Sequence, residues 1–541
     1  HIIIGGSANG IVSFDALNTY SGGTTVEGGI LRLGTDTAAG TGTITMIGSV
    51  LAYTDGVAIA NELAIAGNTT QLEVADGASA EHAGVISEVN GARPLEKIGG
   101  GQLTLSADNI YTGDITVASG TLTVGSDGSI NGGSTLDNDA TFEVADGASA
   151  SFGTIDNDGI INVADNATLS GTGNTFNNTG TTNVGEGGTV DDAGAINNTG
   201  TFNFNGNGTL EVDIDGTGDE VIDNAGDMNF DGGAGTTVNV DSGDGTADLT
   251  NSGTFNLAAQ STVSSNDTLT IDNTTGTVTI GTGAELQVDD INTTDASGVI
   301  YNYGTITLGA GQSLNNEGAL ELAGTVTGSV TNTADFDLDG GTVGSVDNGA
   351  GGDFDITGGG YVDSTIDNAG DMDVGSGTLD VGGLVTNEAG GTLDVADGAT
   401  LDVMAVGLTN TGAGSVATID GTVDGDVTNA FQVTSAHVMA SVANTPIYVN
   451  GTFVTTIDAG ETFVLENVEQ GDVLRTFDAA TESGGDGVQV TLVTGDEDSG
   501  YEMRWYALQP VDNWSNDYYT PVFTGDGTGD VGKRYREAIE V

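Results

Sequence analysis

The side chains that most often carry chemistry are nearly missing from this chain of 541 residues. There is no cysteine, and the three histidines, His1, His82 and His437, are too few and too far apart for a His/Cys metal cluster. Ser435 and His437 stand two apart in an alternating stretch, with no third group or oxyanion hole to complete a nucleophile–base pair. Carboxylate pairs occur, as in VDDINTTD (288–295), but among 78 Asp and Glu residues any one pair carries no information. With so little Lys, Arg and His, a lyase that abstracts a proton beside a carboxylate is disfavoured. No catalytic residue is assigned, and a polysaccharide-active enzyme is the weakest of three functional readings.

Metal binding has a little more support. GGAGTTVNV (232–240) is close to a calcium-binding nonapeptide, but Thr237 replaces the Asp ligand, so it reads as a Gly-rich turn. Acidic loops such as VTGDEDSG (493–500) could gather Ca2+ diffusely, although no cofactor is required. Eight Lys and Arg against 78 acids give a formal net charge of −70. Such a surface excludes nucleic acid, whose phosphates need cations. It also repels anionic membranes. No apolar run reaches 18 residues, so no transmembrane helix is expected. The start, HIIIGGSANG, reads as a processed or trimmed N-terminus.

The elements show themselves through repetition. IDNAGDMNF (222–230) returns as IDNAGDMDV (366–374). Related stretches place an Asn before a short turn and an alternating strand, at Asn138, Asn157, Asn178, Asn198, Asn224, Asn251, Asn273, Asn302, Asn316, Asn332, Asn348, Asn368, Asn387, Asn410 and Asn429. The interval is about 21 residues, in the range of solenoids. Period-two alternation predicts strands, with Ile222, Met228 and Phe230 inward and Asp227 and Asn229 outward. One coil of about three strands cannot bury its own apolar face, so parallel coils must stack. The recurring Asn is expected at one corner, in a left-handed turn and with stacked amides forming a ladder.

A second repeat lies nearer the start. NTYSGGTTVEGGILRL (18–33) and NIYTGDITVASGTLTV (109–124) share Asn, Tyr, Gly, Thr, Val, Gly and Leu at matching positions, and the second follows GVISEVNGARPLEKIGGGQLTLSADN (84–109). This resembles the autotransporter-associated β-strand repeat. The resemblance implies a right-handed parallel β-helix, export from a Gram-negative-type bacterium, an extracellular or cell-surface location and a scaffold with no catalytic residue. A departure is that the chain ends GTGDVGKRYREAIEV, unlike the membrane barrel that closes an autotransporter.

The expected fold is therefore all-β, a β-solenoid with a small C-terminal β-domain or cap. Residues 1–130 carry the autotransporter-type repeats, 131–430 the Asn-corner repeats, and 431–541 a β-rich cap or interaction domain with a basic tail. Apolar Ile2, Ile3 and Ile4 at one end, expected to be buried on both faces, and Tyr518, Tyr519, Phe523, Lys533, Arg534, Tyr535 and Arg536 at the other are the expected assembly contacts. The leading functional reading is a non-catalytic subunit of a surface filament, sheath or stalk, whose partner is another copy joined head to tail. The second is a monomeric adhesin passenger meeting cell-surface or matrix polysaccharide.

Overall fold

The computed structural model describes residues 1–171, 175–191, 194–206, 208–213, 220–231, 237–241, 246–259, 261–263, 268–403, 406–411, 415–419, 422–424, 427–429, 431–440, 445–449, 451–457, 462–466, 473–475, 489–491, 496–507 and 522–524. Among these there is no helix; strands and tight turns account for the regular structure. The chain forms two compact units: His1–Asn292 with 297–299 and 303–307, and Leu308–Val541 with 293–296 and 300–302.

In the first unit three consecutive strands make one coil. Thr189–Asp191, Ala195–Asn198 and Thr201–Asn205 are followed by Thr209–Asp213, Glu220–Asn224 and Asp227–Asp231, and each pairs in parallel with its counterpart one coil later. Register puts like on like. Phe202 pairs with Met228, Asn203 with Asn229 and Phe204 with Phe230. The strand alternation of Thr201–Phe204 sends both phenylalanines to complete burial and leaves Thr201 and Asn203 half-buried on the outer face. Phe202, Phe204 and Phe230 stack face to face at 4.8–4.9 Å. Each such ring contributes roughly 1.5–3 kcal/mol by leaving water. That burial is possible only when a neighbouring coil covers the ring.

The earliest coils follow the same rule with different corners. Ile2–Ile4, Thr24–Val26, Ile44–Met46, Leu63–Ile65 and Ile86–Glu88 form a five-stranded parallel sheet. A second series runs from Ile11–Phe14 through Ile30–Leu33, Val50–Tyr53, Thr70–Val74, Leu95–Ile98 and Ile115–Val117 to Ser129–Asn138. That last strand crosses position 130 and pairs onward with Ser149–Asn157, so pairing continues from the first repeat type into the second.

The second unit stacks in the same way up to Val427–Asn429. Coils of different length are accommodated by joining strands. Thr325–Asn332 spans two strand positions in a single run and pairs with Thr342–Asn348, with a register shift between Val326 and Ser329. Beyond 430 the pairing becomes mostly antiparallel, in two four-stranded sheets. Phe431–Ala440 pairs with Thr462–Glu466 and Asp496–Ala507, and the latter with Val522–Thr524. Thr445–Val449 pairs with Thr452–Ile457 and Val473–Arg475, and the latter with Gln489–Thr491.

Stacking at this spacing restricts the corner to glycine after several of the asparagines, among them Asn198, Asn224 and Asn251, whereas Ala140 and Ala334 stand at that place after Asn138 and Asn332. A Cβ on Gly226 would lie 2.1 Å from the carbonyl oxygen of Gly200, and one on Gly253 would lie 2.1 Å from that of Gly226. The backbone there cannot give way without breaking the stack. Gly226→Ala should therefore cost about 1–3 kcal/mol in urea unfolding. Gly6→Ala, whose Cβ would meet nothing within 4 Å, should be neutral.

Candidate functional site

The buried asparagines make the most regular polar arrangement in the described residues. In the first unit Nδ2 of Asn138, Asn157, Asn178, Asn198, Asn224 and Asn251 each donates to Oδ1 of the next, ending at Asn273, over 2.7–2.8 Å. The remaining N–H reaches a backbone carbonyl of the following coil; Asn224 donates to Thr254 O at 2.9 Å and Asn178 to Thr201 O at 3.0 Å. This second bond fixes which way each amide points. In the second unit Asn316, Asn332, Asn348, Asn368 and Asn387 donate in the same sense, ending at Asn410, over 2.7–2.8 Å. All these side chains are at most 1 % exposed. Their main-chain carbonyls are engaged too, as where Asn224 O accepts from Ser252 N at 2.8 Å and Gly253 N at 3.0 Å.

Several expectations need correction. None of the described ladder asparagines is left-handed; among the described non-glycine residues only Asn90 and Asn166 have positive φ. Each ladder Asn closes a strand with its side chain buried, so its amide, not its tolerance of unusual φ, suits it to the place. Asn302 is outside the ladder. It closes Val299–Asn302, a neighbour of Ala319–Leu322, and donates to Thr325 O at 2.9 Å. Its carbonyl accepts from Ala323 and Gly324, so it performs the same local bonding at another corner. The ladder position ahead of Asn316 is held by Thr293, whose Oγ1 donates to Asn316 Oδ1 at 2.9 Å. A short β-branched hydroxyl there breaks the Asn-x-Gly pattern, which is why spacing alone pointed to Asn302. The backbone of Asn429 pairs with Asn410. Among the described residues Asn138 Oδ1 and Asn410 Nδ2 are buried without a hydrogen-bond partner.

At the proposed assembly contact, Ile4 is buried but Ile3 is 62 % exposed. The strand Ile2–Ile4 thus buries one face rather than two, because Thr24–Val26 pairs with it and nothing described covers its outer side. Phe523 lies in Val522–Thr524, with its backbone paired to Met503. Tyr518, Tyr519, Lys533, Arg534, Tyr535 and Arg536 lie outside the described residues.

The early repeats use other polar devices: the repeated Asn18 and Asn109 visible in the sequence, and Lys97, Tyr53 and His82, which spacing did not single out. Asn18 Nδ2 donates to Ala16 O at 3.3 Å and Ala38 O at 2.6 Å; Asn109 Nδ2 donates to Ala107 O at 2.8 Å and Ser129 O at 3.1 Å. Both bonds therefore recur at the same offsets. Lys97 pairs in register with Leu72 and Val117, stands two coils ahead of Asn138, and is 1 % exposed. Its ammonium donates to the carbonyls of Ile98, Gly99 and Ser119 at 2.8–3.1 Å. Burial lowers its pKa to about 8, with Glu73 pulling the other way. The lysine thus feeds a corner carbonyl of the following coil, as the asparagines do later. Tyr53 and His82 form a buried pair.

The outer faces differ in chemistry. In the first unit Asn183, Asn203 and Asn229 each donate back to the previous Asn of the series, starting from Asn162, over 2.9–3.0 Å. In the second unit the strands from Asp335–Leu338 to Asp371–Val374 carry two acid columns, Asp335/Asp353/Asp371 and Asp337/Asp355/Asp373, the latter reaching Asp394. Adjacent strands bring such side chains within about 5 Å. Partial burial and then the charges of Asp353, Asp373, Asp335 and Asp337 raise Asp355 to about 6. Among the described residues no group of three or more His, Cys, Asp or Glu side chains is disposed to hold a metal ion.

Two outcomes follow. Asn224→Leu keeps the branched heavy-atom skeleton but strands the amide of Asn198, Asn251 Oδ1 and the carbonyl of Thr254, and should cost roughly 2–4 kcal/mol in denaturant unfolding. Asp355 should act with the opposite sense to an ordinary paired acid. Its folded pKa lies above the unfolded 3.8, so its ionisation opposes folding above about pH 6, and this penalty is relieved as pH falls from 6 towards 3.8. After allowance for solvent screening, Asp355→Asn should stabilise the protein by less than about 1 kcal/mol at pH 7 and leave it unchanged near pH 4.

Residues 10–33 and 95–124 match the family model of the passenger-associated-transport-repeat. Comparison with curated proteins and with solved structures gave no match. The matched segments contain both Asn18 and Asn109, with the repeated hydrogen bonds described above. The chain thus carries passenger-associated-transport-repeats in a parallel β-solenoid, a combination that fits an autotransporter passenger.

Proposed function

We propose that this protein is a non-catalytic passenger displayed at the surface of a Gram-negative-type bacterium, where it works as a repetitive β-solenoid scaffold. The observation that carries this reading is the pair of matched repeats, whose Asn18 and Asn109 make the same two bonds. Their polar atoms serve the backbone of neighbouring coils, which is the work of a scaffold. The charge of −70 suits an extended surface, because it opposes collapse onto other acidic polymers. Divalent cations such as Ca2+ would relieve the repulsion along the aspartate columns without a dedicated site.

A finer reading is self-assembly. Among the described residues Ile2–Ile4 is the edge strand of its sheet, and Ile3, Ile11, Val12 and Leu17 are 62, 50, 38 and 75 % exposed. Apolar side chains beside an open edge favour strand addition by a second copy.

The test has two arms. Protease added outside intact native cells should remove the antigen detected by antibodies against residues 138–410; a fully protected antigen would sink the surface assignment. For assembly, Ile3→Lys with Val12→Glu should leave the purified protein folded and lower its mass in sedimentation. A monomeric unsubstituted protein at high salt would dismiss self-assembly and leave a lone passenger.

A further inference from the structure

Tyr53 and His82 are the one ring pair of this kind in the early repeats. They approach edge to face with centroids 6.1 Å apart, and Tyr53 Oη lies 3.0 Å from His82 Nδ1. His82 is fully buried and Tyr53 is 3 % exposed. His82 Nε2 has no hydrogen-bond partner. Whichever tautomer is present, one ring nitrogen is satisfied by the tyrosine and the other by nothing. Residues in register on either side are Ile59 and Leu105, both apolar and buried. Charged groups on the surrounding strands do not meet the ring. Glu73, Glu81 and Glu96 occupy the outward, half-buried positions of their strands. The amine of Lys97 is held by three carbonyls.

We propose that the Tyr53–His82 pair is an acid-operated latch: proton uptake by His82 opens the coils between Val50 and Leu105 while the asparagine-laddered coils stay closed. A protonated imidazole needs two acceptors, and here it finds one hydroxyl and an apolar wall. Burial, the sole cause, holds its pKa down to about 4, whereas an exposed histidine titrates near 6.5. The open form therefore binds the proton more tightly. Stability of these coils is intact above about pH 6.5 and is lost progressively as pH falls towards 4. This is the reverse of the aspartate columns, which gain from the same acid.

Hydrogen-exchange mass spectrometry on the full chain tests the idea, with protection corrected for intrinsic rates. Peptides from 50–105 should lose about 100-fold in protection between pH 7 and pH 4, while peptides from 316–410 should not. The double variant Tyr53→Phe/His82→Leu removes both polar groups and should keep 50–105 closed at pH 4. Should that variant fail to fold, the imidazole resonance of His82 in the unsubstituted protein decides. Protonation coincident with local opening supports the latch. Titration near 6.5 with the coils still closed overturns it, as does unchanged protection of 50–105 at pH 4 or a folded double variant that opens at the same pH.

Discussion

Polar satisfaction within a narrow stacked core is the constraint on which the rest of the structure depends. A parallel coil leaves corner carbonyls and amides that water cannot reach, and each unmet group costs on the order of 1–3 kcal/mol. One asparagine per coil meets four demands together. Its Oδ1 accepts from the coil before, its Nδ2 donates to the next Asn and to a carbonyl of the following coil, and its own main-chain oxygen accepts two N–H groups from the next turn. Because the amides of each unit's ladder point the same way, the bonds polarise one another along that run. The outer Asn series of the first unit runs in the opposite sense.

Other features follow from holding that register. Phenylalanine stacks on phenylalanine because the same strand position recurs in every coil. At Gly200, Gly226 and Gly253 glycine follows the ladder because a methyl group would strike the carbonyl below. Chain length is free to vary only where it does not touch the column, so a short coil joins two strands into Thr325–Asn332 and still delivers Asn332 to its place. The early repeats satisfy the same demand differently, through Asn18, Asn109 and a buried lysine.

The outer face is under no such demand, and it is where the units diverge. Amides from Asn162 to Asn229 in the first unit bond to one another, while the carboxylates in register with Asp355 in the second repel. A solenoid tolerates this because its stability is summed over inner contacts between neighbouring coils. Surface chemistry can therefore change along the chain without altering the fold.

Much of this was written in the sequence. Period-two alternation identified the strands, and IDNAGDMNF with its later copy identified the coil, because an inward Phe or Met and a corner Asn-x-Gly have few other uses. The two early repeats were visible as a shared pattern of Asn, Tyr and Gly. What sequence could not decide was which column a given residue joins. Asn302 looks like every other corner asparagine, yet Thr293 holds the place before Asn316, since hydrogen-bond donors of different shape can fill one buried position. Lys97 and His82 gave no sequence signal of burial, because a charged or titratable side chain reads as surface until three carbonyls, or one tyrosine hydroxyl and an apolar wall, are seen around it. The alternation of Ile3 outward and Ile4 inward likewise depends on what lies beside the strand. Sequence determines the repeating unit through local period and turn chemistry; tertiary structure decides the occupant of each buried polar position, because only neighbours in other coils supply its partners.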